Sequence, residues 1–192
     1  MKKLIFPLLS LLLLMSYKKA EHTSYGNILK IGDNYQGGKV AYILQSGDPN
    51  YDANVQHGLI ATPTDQSVGT TWTCGEITTR SSADDTALLT GNQNTINIIA
   101  SCATAKIAAR ICGDLVLDGF SDWYLPSKDE LNKLYINREA IGKLIGGAAY
   151  WTSSEAHTGM VWIQAFGGKN TGMQLYANKI LAKCRVRAVR AF

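Results

Sequence analysis

Hydrophobic residues gather in short segments along the first third of the chain. Residues 37–45 and 57–63 are rich in valine, isoleucine, leucine and tyrosine, which predicts two β-strands. The polar stretch 47–56 between them predicts a loop. Residues 65–94 are rich in Thr, Ser, Gly and Asp, and this composition predicts irregular surface structure.

Apolar residues recur at helical spacing after this region. The positions concerned are Ile96, Ala100, Ala103, Ile107 and Ile111. They predict one amphipathic helix over residues 94–117, with a face of small residues that packs closely against a sheet. Gly113 is expected to end or kink this helix.

A second helix is predicted by the segment GFSDWYLPSKDEL, residues 119–131. Ser127 and Glu130 have the spacing of a capping box, and Pro126 lies just outside the helix, where its missing N–H costs nothing. Trp123 is expected to begin a short strand that leads into the helix. The segment is therefore assigned a structural role, and neither Asp122 nor Glu130 is expected to be catalytic.

Short strands are predicted again in the last quarter of the chain. The four segments are residues 148–155, 160–168, 172–179 and 184–192. Because Gly- and Asn-bearing turns join them, they are expected to form an antiparallel sheet. Together with the two helices, this predicts an α+β fold.

The amino terminus has the pattern of an export segment. Residues 1–22 combine a basic start with an apolar run from Leu4 to Met15, too short to span a bilayer. The run ends like a bacterial lipoprotein signal, but Tyr17 stands where the lipidated cysteine would be. A signal peptide and a lipoprotein-like export segment both remain open. Residues 23–30 are interpreted as a linker, and membrane association is expected only through the N-terminal segment.

The charge of the chain gives no reason to expect nucleic-acid binding. The whole sequence has a formal net charge of +4. Cleavage after Ala20 would remove Lys2, Lys3, Lys18 and Lys19 and leave equal numbers of basic and acidic residues. A neutral mature chain lacks the overall basic charge typical of proteins that bind nucleic acids.

Four cysteines, Cys74, Cys102, Cys112 and Cys184, predict two disulfides in an exported protein. If one helix carried both Cys102 and Cys112, they would lie about 15 Å apart, beyond the reach of about 7 Å between bonded Cα atoms. Two pairings then remain, 74–102 with 112–184 or 74–112 with 102–184, and we favour the first. Four reduced thiols are the alternative.

Six ordered motifs carry a resemblance to a known family. They are YQGGKVAYI, QHGLIA, AARICGDLVLDGFSDWYLPSKDELNKLY, YWTSSE, the spacing from Trp162 to Phe166, and VRAVRAF. Over residues 31–192 the chain resembles the C-terminal domain of bacterial collagen-like adhesins, the Lcl C-terminal domain family. The resemblance implies a C-type-lectin-like fold, with two helices packed on short twisted antiparallel sheets.

The resemblance also implies placement at the cell surface. Some relatives are adhesins for sulfated glycans, and other proteins of this fold class are variable receptors diversified by retroelements. The family supplies no catalytic residues to carry over. The chain departs from it at Tyr17 and in lacking a collagen-like repeat before the domain. Formylglycine-generating enzymes share the fold but need a cysteine pair near the carboxyl terminus, where this chain has only Cys184.

A basic cluster near the carboxyl terminus is the first candidate binding site. Lys179, Lys183 and Arg185 are expected to be exposed and to attract sulfates or carboxylates. Arg187 and Arg190 are expected to pair internally with Asp118, Asp122 or Glu130. These two arginines are therefore assigned structural roles.

The second candidate site is a rim formed by residues 155–183. Exposed aromatic rings beside amides suit sugars or proteins, because rigid rings give contact area at little entropic cost. The rim residues assigned to ligand binding are Trp162, Gln164, Asn170, Gln174, Tyr176 and Asn178, with Glu155, His157 and Lys169 nearby. The alternative for Trp162 is a place in the core.

These observations predict an exported, non-enzymatic domain that binds glycans, sulfated ones among them, or proteins through its C-terminal strands and loops. No cofactor or metal is expected, and an oligomer is allowed. The expected location is the cell surface or outer membrane, with the periplasm and the medium as alternatives. A retroelement-diversified receptor and a structural envelope protein are the alternative functions.

Overall fold

The computed structural model describes residues 28–74, 81–144 and 146–192. The predicted export segment 1–22 and residues 23–27 of the predicted linker lie outside the described residues. Every described helix and strand falls between residues 34 and 191.

The described residues form nine strands in two sheets. The smaller sheet has the order β1 (Asn34–Tyr35), β2 (Gly38–Ile43), β3 (Gly58–Ala61), β9 (Val189–Ala191). The larger has the order β4 (Ser67–Thr70), β8 (Cys184–Val186), β5 (Ala149–His157), β6 (Met160–Ala165), β7 (Gln174–Asn178). All pairs are antiparallel except β5 with β8. The helices are α1 (Gly91–Ser101), α2 (Ala108–Gly113), α3 (Lys128–Ile136) and α4 (Arg138–Ile141), with a 3₁₀ turn at Gly168–Asn170.

The predicted α+β class is confirmed, and each predicted strand segment contains a strand; β5 extends past its predicted end to His157, whereas the other strands are shorter than predicted. The segment 184–192 differs from its prediction, because it divides into β8 and β9, which belong to different sheets. The chain therefore crosses from the larger sheet to the smaller one at Arg187 and Ala188. The predicted irregular region 65–94 also contains the strand β4 and the start of α1.

The single helix predicted over residues 94–117 is wrong. The chain leaves the helical conformation at Cys102, and Lys106 has a φ of 67° before α2 begins. Arg110 compensates for part of the interruption, because its guanidinium donates to the carbonyl oxygens of Ile99 and Cys102, each at 3.3 Å. A disulfide between Cys74 and Cys102 fixes the break.

One of the two predicted disulfides is present. Cys74 and Cys102 are bonded, whereas Cys112 and Cys184 are free thiols buried in the same hydrophobic cluster. The favoured second bridge between them is therefore a wrong prediction. Burial raises the pKa of the Cys184 thiol to about 11 and that of Cys112 well above its usual range. Both thiols therefore pack as small apolar side chains.

The helix α3 begins with the predicted capping box. The Ser127 hydroxyl accepts from the backbone N–H of Glu130, and the Glu130 carboxylate accepts from the backbone N–H of Ser127 at 2.7 Å. The strand-like lead-in is also present: Tyr124 exchanges two backbone hydrogen bonds with Val189 of β9. Trp123 before it is buried.

Tertiary contacts hold the start of α3 and the residues that lead into it on several sides. Pro126 accepts a hydrogen bond from the backbone N–H of Ser153 in β5. The start of α1 lies so close that a Cβ on Gly91 would fall 2.3 Å from a Glu130 carboxylate oxygen. The capping box therefore begins α3 and is at the same time buried in the core.

Replacing Ser127 with alanine is expected to lower the free energy of unfolding by about 1–2 kcal/mol. The change removes the acceptor for the Glu130 N–H and the donor to the carbonyl oxygen of Ala87. Urea unfolding followed by circular dichroism measures the loss. Thr171→Ala is the matched control, because its hydroxyl bonds a turn carbonyl at the exposed surface and should cost under about 0.5 kcal/mol. Equal losses in the two variants would contradict the assignment.

Candidate ligand-binding surface

The arginines of the last strands are held by carboxylates. Arg190 makes the predicted pair with Asp122, with two hydrogen bonds of 2.7 and 2.8 Å. This contact lowers the pKa of Asp122. The Arg190 guanidinium also lies 4.2 Å from the centre of the Phe120 ring and donates to Gln36. It therefore fastens β9 to the segment that leads into α3.

Arg187 is buried and paired, but its partner differs from all three that were expected. Its guanidinium donates to Asp65 at 2.7 and 3.0 Å and to the carbonyl oxygen of Thr62 at 2.8 Å. Arg185 reaches the other oxygen of the same carboxylate at 3.0 Å. Asp65 is brought here because the chain beyond β3 runs beside β8. The Asp65 carboxylate therefore neutralises the charge of Arg185, which was expected to be exposed and available to a ligand.

The prediction that Lys179 is exposed is wrong. Its side chain is fully buried, forms an ion pair with Glu155 and lies 5.2 Å from the centre of the Trp72 ring. Lys183 is exposed, but it lies beside Gly69 of β4. The three residues have different surroundings, and the predicted basic patch does not form.

Aromatic side chains of the predicted rim do come together on β6 and β7. Trp162 and Tyr176 are direct partners across the two strands, with ring centres 4.3 Å apart. The His157 ring lies 5.4 Å from that of Tyr176. Tyr176 is 50% exposed and Trp162 is half-buried, so neither expectation for Trp162, full exposure or a core position, describes it fully.

A lysine that the sequence did not single out completes this group. The Lys128 amino group lies 4.7 Å from the centre of the Trp162 ring, and Gln174 donates to the Lys128 carbonyl oxygen at 2.8 Å. The capping box places Lys128 at the start of α3, and this position was readable from the sequence. The sequence did not indicate that the start of α3 faces β6. We call His157, Trp162, Tyr176 and Lys128 the aromatic surface.

The other rim residues are less available to a ligand. Gln164 is fully buried and donates to the carbonyl oxygen of Gly172 at 2.8 Å. The Asn178 side-chain oxygen accepts from the backbone N–H groups of Ile180 and Leu181. Asn170 is exposed in the turn between β6 and β7. The accessible rim therefore narrows to the aromatic surface and its edges.

Two further observations bear on what the described residues could hold. Among them, no group of three His, Cys, Asp or Glu side chains is arranged to bind a metal ion. Within the same residues, no helix has the length and apolar character needed to cross a membrane.

No protein-family model matches the chain, and no curated protein does. Among solved structures, the chain is similar to a fimbrial protein from Bacteroides ovatus ATCC 8483, with a TM-score of 0.55 and 16% sequence identity. The match covers 84% of this chain and 48% of that one, so this chain spans about half the length of the solved protein. At this identity the likeness shows the fold alone: an α+β arrangement that the two proteins share.

Proposed function

We propose that this chain is an exported, non-enzymatic binding domain of the cell surface, and that it recognises glycans through the aromatic surface. The observation that carries the proposal is the pairing of Trp162 with the half-exposed Tyr176, beside the Lys128 amino group. Two adjacent rings offer an apolar platform for the C–H faces of a sugar. Lys128 adds a positive charge at its border, which suits a sulfated or carboxylated sugar.

The proposal includes the family resemblance. We assign residues 31–192 to the Lcl C-terminal domain family and to a C-type-lectin-like fold, and residues 1–22 to export. The fimbrial neighbour supports placement at the cell surface. The proposal names no catalytic residue, cofactor or metal.

The same neighbour favours a second candidate, a structural subunit of a surface assembly without a soluble ligand. The two candidates differ in one measurable property. A structural subunit self-associates and binds no sugar, whereas a glycan-binding domain binds sugars as an isolated chain.

Binding of residues 23–192 to an array of sulfated and neutral glycans tests the proposal. Trp162→Ala is expected to weaken binding of every bound sugar by about tenfold, because it removes one ring of the platform. Lys128→Ala is expected to weaken only the sulfated sugars, and this loss should shrink at high salt as the charge is screened. Calorimetry with the best sugar gives the affinities.

Lys183→Ala is the matched control, because this exposed lysine lies beside β4 and should leave affinity unchanged. Circular dichroism verifies that each variant is folded. Wild-type affinity in Trp162→Ala would contradict the assigned surface. An absence of binding to all sugars would reject the glycan proposal and favour the structural subunit.

A further inference from the structure

Among the strands that the structure describes, β7 lies at one edge of the larger sheet. Backbone hydrogen bonds at its two ends, from Lys179 to Gly159 and from Ala165 to Met173, fix which of its residues face β6. In an antiparallel ladder the backbone groups of alternate residues point to opposite sides. The backbone N–H and C=O groups of Gln174, Tyr176 and Asn178 therefore point away from β6, along the outer edge. Of these groups, the Asn178 carbonyl oxygen accepts a hydrogen bond from the backbone N–H of Ala182 at 3.2 Å.

The other edges are less suited to pairing with another strand. β1 has two residues, and β4 changes register between Ser67 and Thr70. Tyr124 already occupies the outer side of β9 through two backbone hydrogen bonds. β7 pairs in regular register over five residues and contains neither a charged residue nor a proline. Charges, prolines, bulges and short length are the features that normally protect a strand edge.

Exposed apolar side chains accompany this edge. Met173 is 51% exposed, Tyr176 50% and Leu181 77%. Met173 precedes β7, Tyr176 lies within it and Leu181 follows it. Such a concentration of apolar surface along an unpaired edge is typical of an interaction site.

We propose that β7 pairs antiparallel with β7 of a second copy of this chain. With the two-fold axis at the centre of the strand, Tyr176 lies opposite Tyr176 of the partner copy, and Gln174 lies opposite Asn178. The edge is then complementary to itself, as a two-fold interface requires. No like charges meet across the strand pair, and the end that carries Met173 approaches the end that carries Leu181.

The pairing has a consequence for the aromatic surface. A two-fold axis perpendicular to the sheet keeps both aromatic surfaces on the same side of one continuous sheet. The dimer would then present two neighbouring sites, which increases avidity for a repeating ligand without any new contact to it. Because one strand pair buries less than the roughly 1,200 Å² of a standard interface, the dimer is expected to dissociate on dilution.

Sedimentation velocity of residues 23–192, at protein concentrations up to about 1 mM, tests the pairing. Tyr176→Lys and Tyr176→Glu are each expected to raise the dimer dissociation constant by at least about tenfold, because like charges then face each other at the axis. An equal mixture of the two variants is expected to restore the dimer, since lysine then faces glutamate. Val116→Lys, a similar change at another exposed apolar residue, should leave the dimer intact.

Three results would overturn the proposal. These are a wild-type chain that stays monomeric throughout, a dimer that Tyr176→Lys leaves unchanged, or a mixture of the charged variants that stays monomeric. The readout is independent of sugar binding, so a failure of the dimer and a failure of the glycan proposal are distinguishable.

Discussion

Replacing Lys179 with methionine is expected to lower the free energy of unfolding by about 3–5 kcal/mol. The Lys179 side chain is fully buried against the carboxylate of Glu155, whose side chain is 1% exposed. Methionine preserves the apolar stem but removes the positive charge, and it leaves a carboxylate inside the protein without this partner. Breaking a buried pair from one side costs far more than an exposed ion pair contributes. Urea unfolding measures the change.

Two further variants make this prediction specific. Lys183→Met, at an exposed lysine four residues along the chain, is expected to change stability by less than about 0.5 kcal/mol. The double variant Lys179→Met with Glu155→Gln is expected to be more stable than the sum of the single losses implies, because the group that faced the Lys179 charge is then neutral. A small loss in Lys179→Met, equal to that of Lys183→Met, would contradict the expected cost of breaking the buried pair.

The burial of Lys179 shows where sequence reasoning reaches its limit. Lys179 follows a polar strand end and looks like its exposed neighbour Lys183. Its surroundings come from Trp72, more than 100 residues earlier, and from Glu155 on β5. No local pattern contains this information, because Trp72 and Glu155 are both distant from Lys179 in the sequence.

Local chemistry was more predictive where the stabilising partners are close in sequence. The capping box links Ser127 to Glu130, three residues apart, and its signature is readable without the fold. The pairing of Arg190 with Asp122, 68 residues apart, was predicted on another ground, the need to neutralise a charge within the core. The partner of Arg187 was missed because Asp65 lies in a stretch of polar residues that gave no sign of burial.

The break between α1 and α2 has a similar origin. Apolar residues continue at helical spacing through residues 102–107, so periodicity alone predicts one helix. The disulfide from Cys74 to Cys102 and the left-handed conformation of Lys106 override it. A helix prediction from spacing is therefore weakest where a cross-link to a distant segment is present.

Stability is expected to depend on pH through Glu130. Its carboxyl is fully buried, and burial raises its pKa to about 7, although hydrogen bonds from Ser127, Tyr124 and Leu89 favour the ionised form. In the unfolded chain the pKa is close to the ordinary value of 4.5. The folded protein therefore binds this proton more tightly than the unfolded chain does. The resulting contribution to stability is complete below about pH 4.5 and is lost as pH rises through about 7.

The expected size of this loss is about 3 kcal/mol between pH 4.5 and 8. Glu130→Gln removes the titration, so the difference in unfolding free energy between wild type and variant should change by that amount over the same range. Other groups titrate in both proteins and cancel in the difference. Asp122 is one of them, since its pair with Arg190 lowers its pKa and makes its contribution fall at acid pH.

Glu130→Gln also distinguishes the effect of the carboxyl proton on stability from the effect of the carboxylate hydrogen bonds. Both carboxylate oxygens of Glu130 accept backbone N–H groups, from Leu89 at 2.9 Å and from Ser127 at 2.7 Å. The amide nitrogen of glutamine must face one of these donors, so Glu130→Gln is expected to lose about 1–3 kcal/mol at every pH. A constant offset with no pH-dependent part would mean that the hydrogen bonds outweigh burial and that Glu130 stays ionised. A pH-dependent part superimposed on the offset would show that burial dominates, and that this helix cap is held most firmly when its carboxyl is protonated.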